Sequence, residues 1–105
     1  MRILNELELA ESANLLKIMG HPLRLKILIA IFTRQCKVTG LVDCIDAPQP
    51  IVSQQLAILR RGKIIVGQKC KNCVIYKIVN PGAEDIIKML LNSYNSQNPE
   101  EAAHV

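Results

Sequence analysis

Apolar positions recur with helical spacing at both ends of this chain, and β-branched runs gather between residues 64 and 79. Leu4, Leu7, Ala10, Leu15, Leu16 and Met19 fall mostly on one helical face, with Glu6, Glu8, Glu11 and Lys17 largely elsewhere. Gly20 sits where that helix would stop, and Pro22 where the next would begin. The second helix, about Pro22 to Thr33, is apolar almost all round from Leu23 to Phe32, which predicts the buried centre of the domain. Arg24 and Lys26 give it a single solvated edge.

A polar break at Arg34-Gln35 leads to an extended piece near Cys36 to Val38, and Thr39 can cap a two-turn helix from Gly40 to Ile45. Asp46-Ala47-Pro48 makes a tight turn before another helix, Gln49 to Arg61, which tolerates Pro50 in its first turn. On that helix Val52, Leu56 and Leu59 share an inward stripe, while Gln49, Ser53, Ala57 and Arg60 lie opposite, beside Gln54 and Arg61. Two short helices joined by a tight turn, the second with an amide-rich outer face, make a helix-turn-helix unit.

Gly62 ends the second of these helices. The runs 64–69 and 74–79 then flank Cys70-Lys71-Asn72-Cys73 as a hairpin, and Asn80-Pro81-Gly82 breaks it. A final helix, about Ala83 to Asn95, carries Ile86, Ile87, Met89, Leu90, Leu91 and Tyr94. The fold expected is mainly α with a small β-hairpin: a winged helix-turn-helix domain over residues 1–95, followed by a disordered polar tail, 96–105.

Composition sharpens this picture in two ways. Half the 105 residues are apolar but only Phe32, Tyr76 and Tyr94 are aromatic, so the core is expected to be Leu, Ile and Val. No tract approaches the roughly 18 apolar residues of a membrane span. The start of the chain alternates Leu and Glu, unlike a secretory signal, so a cytoplasmic location and no membrane partner are expected. The net charge of +4 is modest, yet residues 47–83 carry six basic residues and no Asp or Glu, all nine acids lying outside. A polar helix beside a cationic hairpin suits a polyanion, and double-stranded DNA is the expected partner. Gln49, Ser53 and Gln54 are the candidates for base edges, and Lys69 and Lys71 for phosphate or the minor groove. Arg60, Arg61 and Lys63 join them as candidates, although the helix dipole also favours cations there and at least one of the three is expected to be structural.

The stretches Met19-Gly20-His21-Pro22-Leu23-Arg24-Leu25-Lys26-Ile27-Leu28 and Val52-Ser53-Gln54-Gln55-Leu56-Ala57-Ile58-Leu59-Arg60 closely resemble the ArsR/SmtB family of bacterial repressors. Val74-Ile75-Tyr76-Lys77-Ile78 looks like that family's second wing strand, and the likeness covers roughly residues 15 to 80. The resemblance implies a homodimer built on the first and last helices, which leaves its operator when a metal ion or an oxidant binds. Leu4, Leu7, Leu90, Leu91 and Tyr94 are the candidates for that dimer face. A two-fold dimer would set its recognition helices about 34–36 Å apart and prefer an inverted repeat.

The family's metal ligands do not carry over. Lys37 and Thr39 stand where a Cys-x-Cys pair would open the third helix, and the last helix offers Glu84 and Asp85 but no His. The chain has instead Cys70 and Cys73 across a two-residue turn, an arrangement compatible with a disulfide or with half of a zinc or other soft-metal site. Lys69 and Lys71 place positive charge beside any thiolate there. Cys36 and Cys44 are weaker candidates for further ligands, and can equally be small core residues. The function expected is a sequence-specific DNA-binding repressor, modulated at its cysteines by oxidation, reactive sulfur or a soft metal. Two alternatives compete with it. One is a winged-helix protein-interaction module without an inducer. The other is a thiol–disulfide oxidoreductase, disfavoured because no helix is expected after the Cys pair. No catalytic triad or phosphate loop can be assembled, so an enzyme is not expected.

Overall fold

The computed structural model describes residues 3–34 and 45–97. The first helix, α1 (Glu6–Met19), starts on a capping box: Asn5 accepts from the Glu8 N–H at 2.8 Å while the Glu8 carboxylate accepts from the Asn5 N–H at 3.1 Å. Helix α2 (Pro22–Arg34) begins with proline at its first position, where no helical donor is lost. The ring Nδ1 of His21 accepts from the Leu23 N–H at 3.2 Å and so caps the same end. As its composition predicts, α2 supplies the centre of the core through Ile27, Leu28 and Ile31.

The expected extended piece, its Thr39 cap and the helix Gly40 to Ile45 lie outside the described residues, except that Ile45 is buried. Helix α3 (Gln49–Arg61) packs Val52, Leu56 and Leu59 onto α2, and its end is closed by three backbone bonds. Gly62 donates to Ile58, Lys63 to Arg60 and Ile64 to Leu59, the last two bonds forming a Schellman motif. The left-handed residue of that motif is Lys63, at φ 59°, and not the neighbouring glycine. Gly62 is right-handed and is small for another reason: a Cβ there would stand 3.1 Å from Ile18 Cδ1 of α1.

The hairpin pairs β1 (Ile65–Cys70) with β2 (Cys73–Ile78), antiparallel, in the register Ile65↔Ile78 to Cys70↔Cys73. Both strands are shifted by one residue from the expected runs, which makes the cysteines ladder residues rather than loop residues. Ile65, Tyr76 and Ile78 anchor the root in the core, whereas β1 beyond Ile65 is exposed. Ile64 fastens the junction, because its carbonyl accepts from Val79 at 2.9 Å and from Asn80 at 3.3 Å. The last helix, α4 (Pro81–Gln97), starts two residues before the expected Ala83 and runs two past Asn95. Asn80 Oδ1 accepts from the Ala83 N–H at 3.0 Å, so Asn80-Pro81 starts a helix as well as ending a hairpin. The expected disordered tail therefore begins with helical residues, and 98–105 lie outside the described chain. Among the described residues, four helices and a hairpin in this order match a winged helix-turn-helix domain.

Candidate nucleic-acid interface

The outer face of α3 is the one the sequence indicates. Gln49, Ser53, Gln54, Arg60 and Arg61 are all exposed, while the opposite stripe is buried, so the helix is held from behind and free in front. Its first turn has no acidic residue and Pro48 provides no side-chain cap, which leaves the positive end of the helix dipole open to an anion. Lys63 follows at the exposed joint, and β1 leaves directly from it. Lys69 and Lys71 are exposed at the far end of the hairpin, Lys71 at φ 55° in its turn. The next carboxylate along the chain, Glu84, is paired with Lys88 at 3.1 Å on α4. The arrangement is a continuous acid-free segment, with amides and a hydroxyl on a rigid helix and cations on a projecting ribbon.

Cys70 and Cys73 face each other at the tip. Cys70 is exposed, Cys73 is half-buried, and the Cys73 thiol donates to the Cys70 carbonyl at 3.0 Å. Cys36 and Cys44 lie outside the described residues. Among the described residues, no three His, Cys, Asp or Glu side chains gather as a metal site. The Cys pair runs directly into β2, so neither thiol sits at the helix N-terminus typical of an oxidoreductase pair.

The candidate dimer residues divide. Leu4, Leu7 and Tyr94 are exposed, whereas Leu90 is half-buried and Leu91 packs partly against the core. Leu16, expected on much the same face as Met19, is 57% exposed whereas Met19 is buried, and Leu9 and Met89 are exposed as well. Arg24 corrects a second expectation: it is half-buried and hydrogen-bonded to Ile18 and Gln55, not a solvated edge.

Comparison with known proteins agrees with this architecture. Residues 21–65 match the family described as "Bacterial regulatory protein, arsR family". The transcriptional repressor PagR of Bacillus anthracis is 38% identical over 85 residues, covering 80% of this chain and 85% of that protein. The chain belongs to the ArsR/SmtB family of transcriptional repressors. The crystal structure of PagR superposes on this ArsR/SmtB chain with a TM-score of 0.73 at 37% identity, over 82% of this chain and 99% of PagR. HlyU from Vibrio cholerae gives a TM-score of 0.81 at 29% identity, over 86% and 98% of the two chains. The repressor BigR from Xylella fastidiosa gives 0.77 at 29% identity, over 85% and 91%. Among the described residues no helix is long and apolar enough to cross a membrane.

Proposed function

We propose that this chain is a homodimeric, sequence-specific transcriptional repressor in the cytoplasm, without enzymatic activity, whose operator affinity is set by thiol chemistry at Cys70 and Cys73. The observation that carries the DNA reading is the outward stripe of α3 continuing into the lysine-tipped hairpin, with no carboxylate between residues 47 and 83. Gln49, Ser53 and Gln54 read base edges in the major groove. Arg60, Arg61, Lys63, Lys69 and Lys71 hold the phosphates and set the register. Two copies pair through the exposed apolar faces of α1 and α4, with Leu4, Leu7 and Tyr94 at the seam and Leu90 and Leu91 behind it, and prefer an inverted repeat.

The sensing arm of the proposal is supported by the Cys70↔Cys73 register. Directly opposed positions on antiparallel strands have Cα atoms about 4.5–5.5 Å apart, within the span of a disulfide. With a hydroperoxide as oxidant, one thiolate attacks the peroxide oxygen, the O–O bond breaks, and a sulfenic acid and an alcohol form. The second thiol displaces water from the sulfenic acid, closing the Sγ–Sγ bond. Two thiols are oxidised by two electrons and one peroxide is reduced. A persulfide from reactive sulfur, or a soft metal ion completed by other ligands, would engage the same pair. Any of these alters the strand ends that carry Lys69 and Lys71, and with them the phosphate contacts.

Fluorescence anisotropy with inverted-repeat and scrambled duplexes tests the DNA reading, which predicts selective, salt-sensitive binding. Equal affinity for all duplexes defeats it. For the sensing arm, Cys70→Ser is expected to abolish the response of operator affinity to hydroperoxide and to zinc. A response that survives in this variant removes the hairpin from the sensing role and leaves the repressor assignment standing.

A further inference from the structure

Arg24 plays no part in the DNA contacts described above, yet it joins three helices. From α2 its Nε donates to the Ile18 carbonyl at 2.7 Å in the last turn of α1, and its Nη1 donates to Gln55 Oε1 at 3.0 Å in the middle of α3. The Ile18 carbonyl is among the last four of α1, which have no acceptor role within their own helix, and a cation at that end also meets the negative pole of the helix dipole. The guanidinium is a rigid planar fork, so two bonds made by one fork fix the direction of both partners together. A second contact repeats the connection, since Ile18 also closes against Gly62 at the C-terminal end of α3. The last turn of α1 is therefore referenced to α3 at two points, its middle and its end.

We propose that Arg24 is a positioning residue for operator reading: it holds Gln55, and with it α3, at the angle from which Gln49, Ser53 and Gln54 meet base edges. The proposal rests on the assignment of α3 as the base-reading helix. Gln55 lies two positions from Ser53 and so on another flank of α3, where it buttresses and does not read. Base-edge hydrogen bonds depend on orientation far more than phosphate contacts do, so a tilt of α3 costs specific binding and spares non-specific binding. Because the same fork grips α1, the apolar helix proposed for the dimer seam sets the reference for the reading angle.

The test uses the full-length protein and a duplex that the wild type selects from a random-sequence pool, with a scrambled duplex as control. Arg24→Lys and Gln55→Ala are each expected to weaken binding to the selected duplex by about tenfold. Affinity for the scrambled duplex and the salt dependence should not change. The double variant should lose no more than about the larger single loss, because both changes remove one bond. An equal loss on both duplexes, with a log–log salt slope smaller by about 1, would make Arg24 a phosphate contact and overturn the proposal. A lower melting temperature with an unchanged ratio of the two affinities would overturn it as well, leaving only a structural role. Should Arg24→Lys not fold, Gln55→Ala decides alone, and an unchanged ratio there is fatal. A wild type that selects no sequence overturns the base-reading assignment itself, an outcome distinct from all of these.

Discussion

Helix α3 and the hairpin lie side by side in the chain, but they are built to different tolerances. Helix α3 is held from behind by Val52, Leu56 and Leu59, from one flank by the Arg24 fork, and at its end by a Schellman motif and by the close approach of Ile18 to Gly62. Among the described residues, the hairpin is buried in the core at its root, through Ile65, Tyr76 and Ile78, with Val74 packed partly against it, while β1 beyond Ile65 stands in solvent. The difference matches the two kinds of DNA contact proposed for them. Base edges need a side chain fixed in angle, whereas a phosphate accepts a lysine from many directions. It also suits the tip to the thiol chemistry proposed there, which would act away from the fully buried residues of the core.

Four measurements would break or sharpen this contrast. The largest effect belongs to stability. Leu59→Ala removes a fully buried side chain behind α3 and should cost about 2–5 kcal/mol in chemical denaturation. Val66→Ala, on the exposed part of β1, should cost no more than about 1 kcal/mol. Comparable losses would mean that the hairpin is anchored as firmly as the helix. Next comes Gln54→Ala, expected to cost about 1–3 kcal/mol on the selected operator and nothing on scrambled DNA. Equal losses on the two duplexes would assign Gln54 to the backbone. Lys69→Ala and Lys71→Ala should instead weaken all duplexes alike, each lowering the salt slope by about 0.9, and a sequence-dependent loss would give the tip a reading role. The smallest effect is at the joint between the two regions. Lys63→Gly relieves a left-handed lysine at the expense of backbone entropy and should raise stability by about 0.5 kcal/mol. Its loss of one phosphate contact would show separately in DNA titrations.

Much of this was legible in the sequence because periodicity reports directly on burial. The stripes of α3 and the all-round apolar face of α2 emerged with the residues expected, and the Cys70↔Cys73 pairing followed from a two-residue turn. What escaped depends on partners remote in the chain. Arg24 looked like a solvated cation because its acceptor on Gln55 lies 31 residues away. The pattern of α1 grouped Leu16 with Met19 because helical periodicity identifies an apolar stripe without saying which surface covers it, and in the described fold Met19 is buried while Leu16 is open. Asn80-Pro81-Gly82 reads equally as a strand breaker and as a helix start, and only the bond from Ala83 to Asn80 Oδ1 distinguishes them. The left-handed position fell on Lys63 because the glycine beside it was already committed to a close approach by α1.

One backbone position links these regions. The amide of Ile64 closes the end of α3 on Leu59, and its carbonyl receives both Val79, leaving the hairpin, and Asn80, which starts α4. Helix, ribbon and closing helix thus meet at a single residue, like spokes at one hub. A displacement of α4 that pulls on this residue would therefore move the end of α3 and the root of the hairpin together.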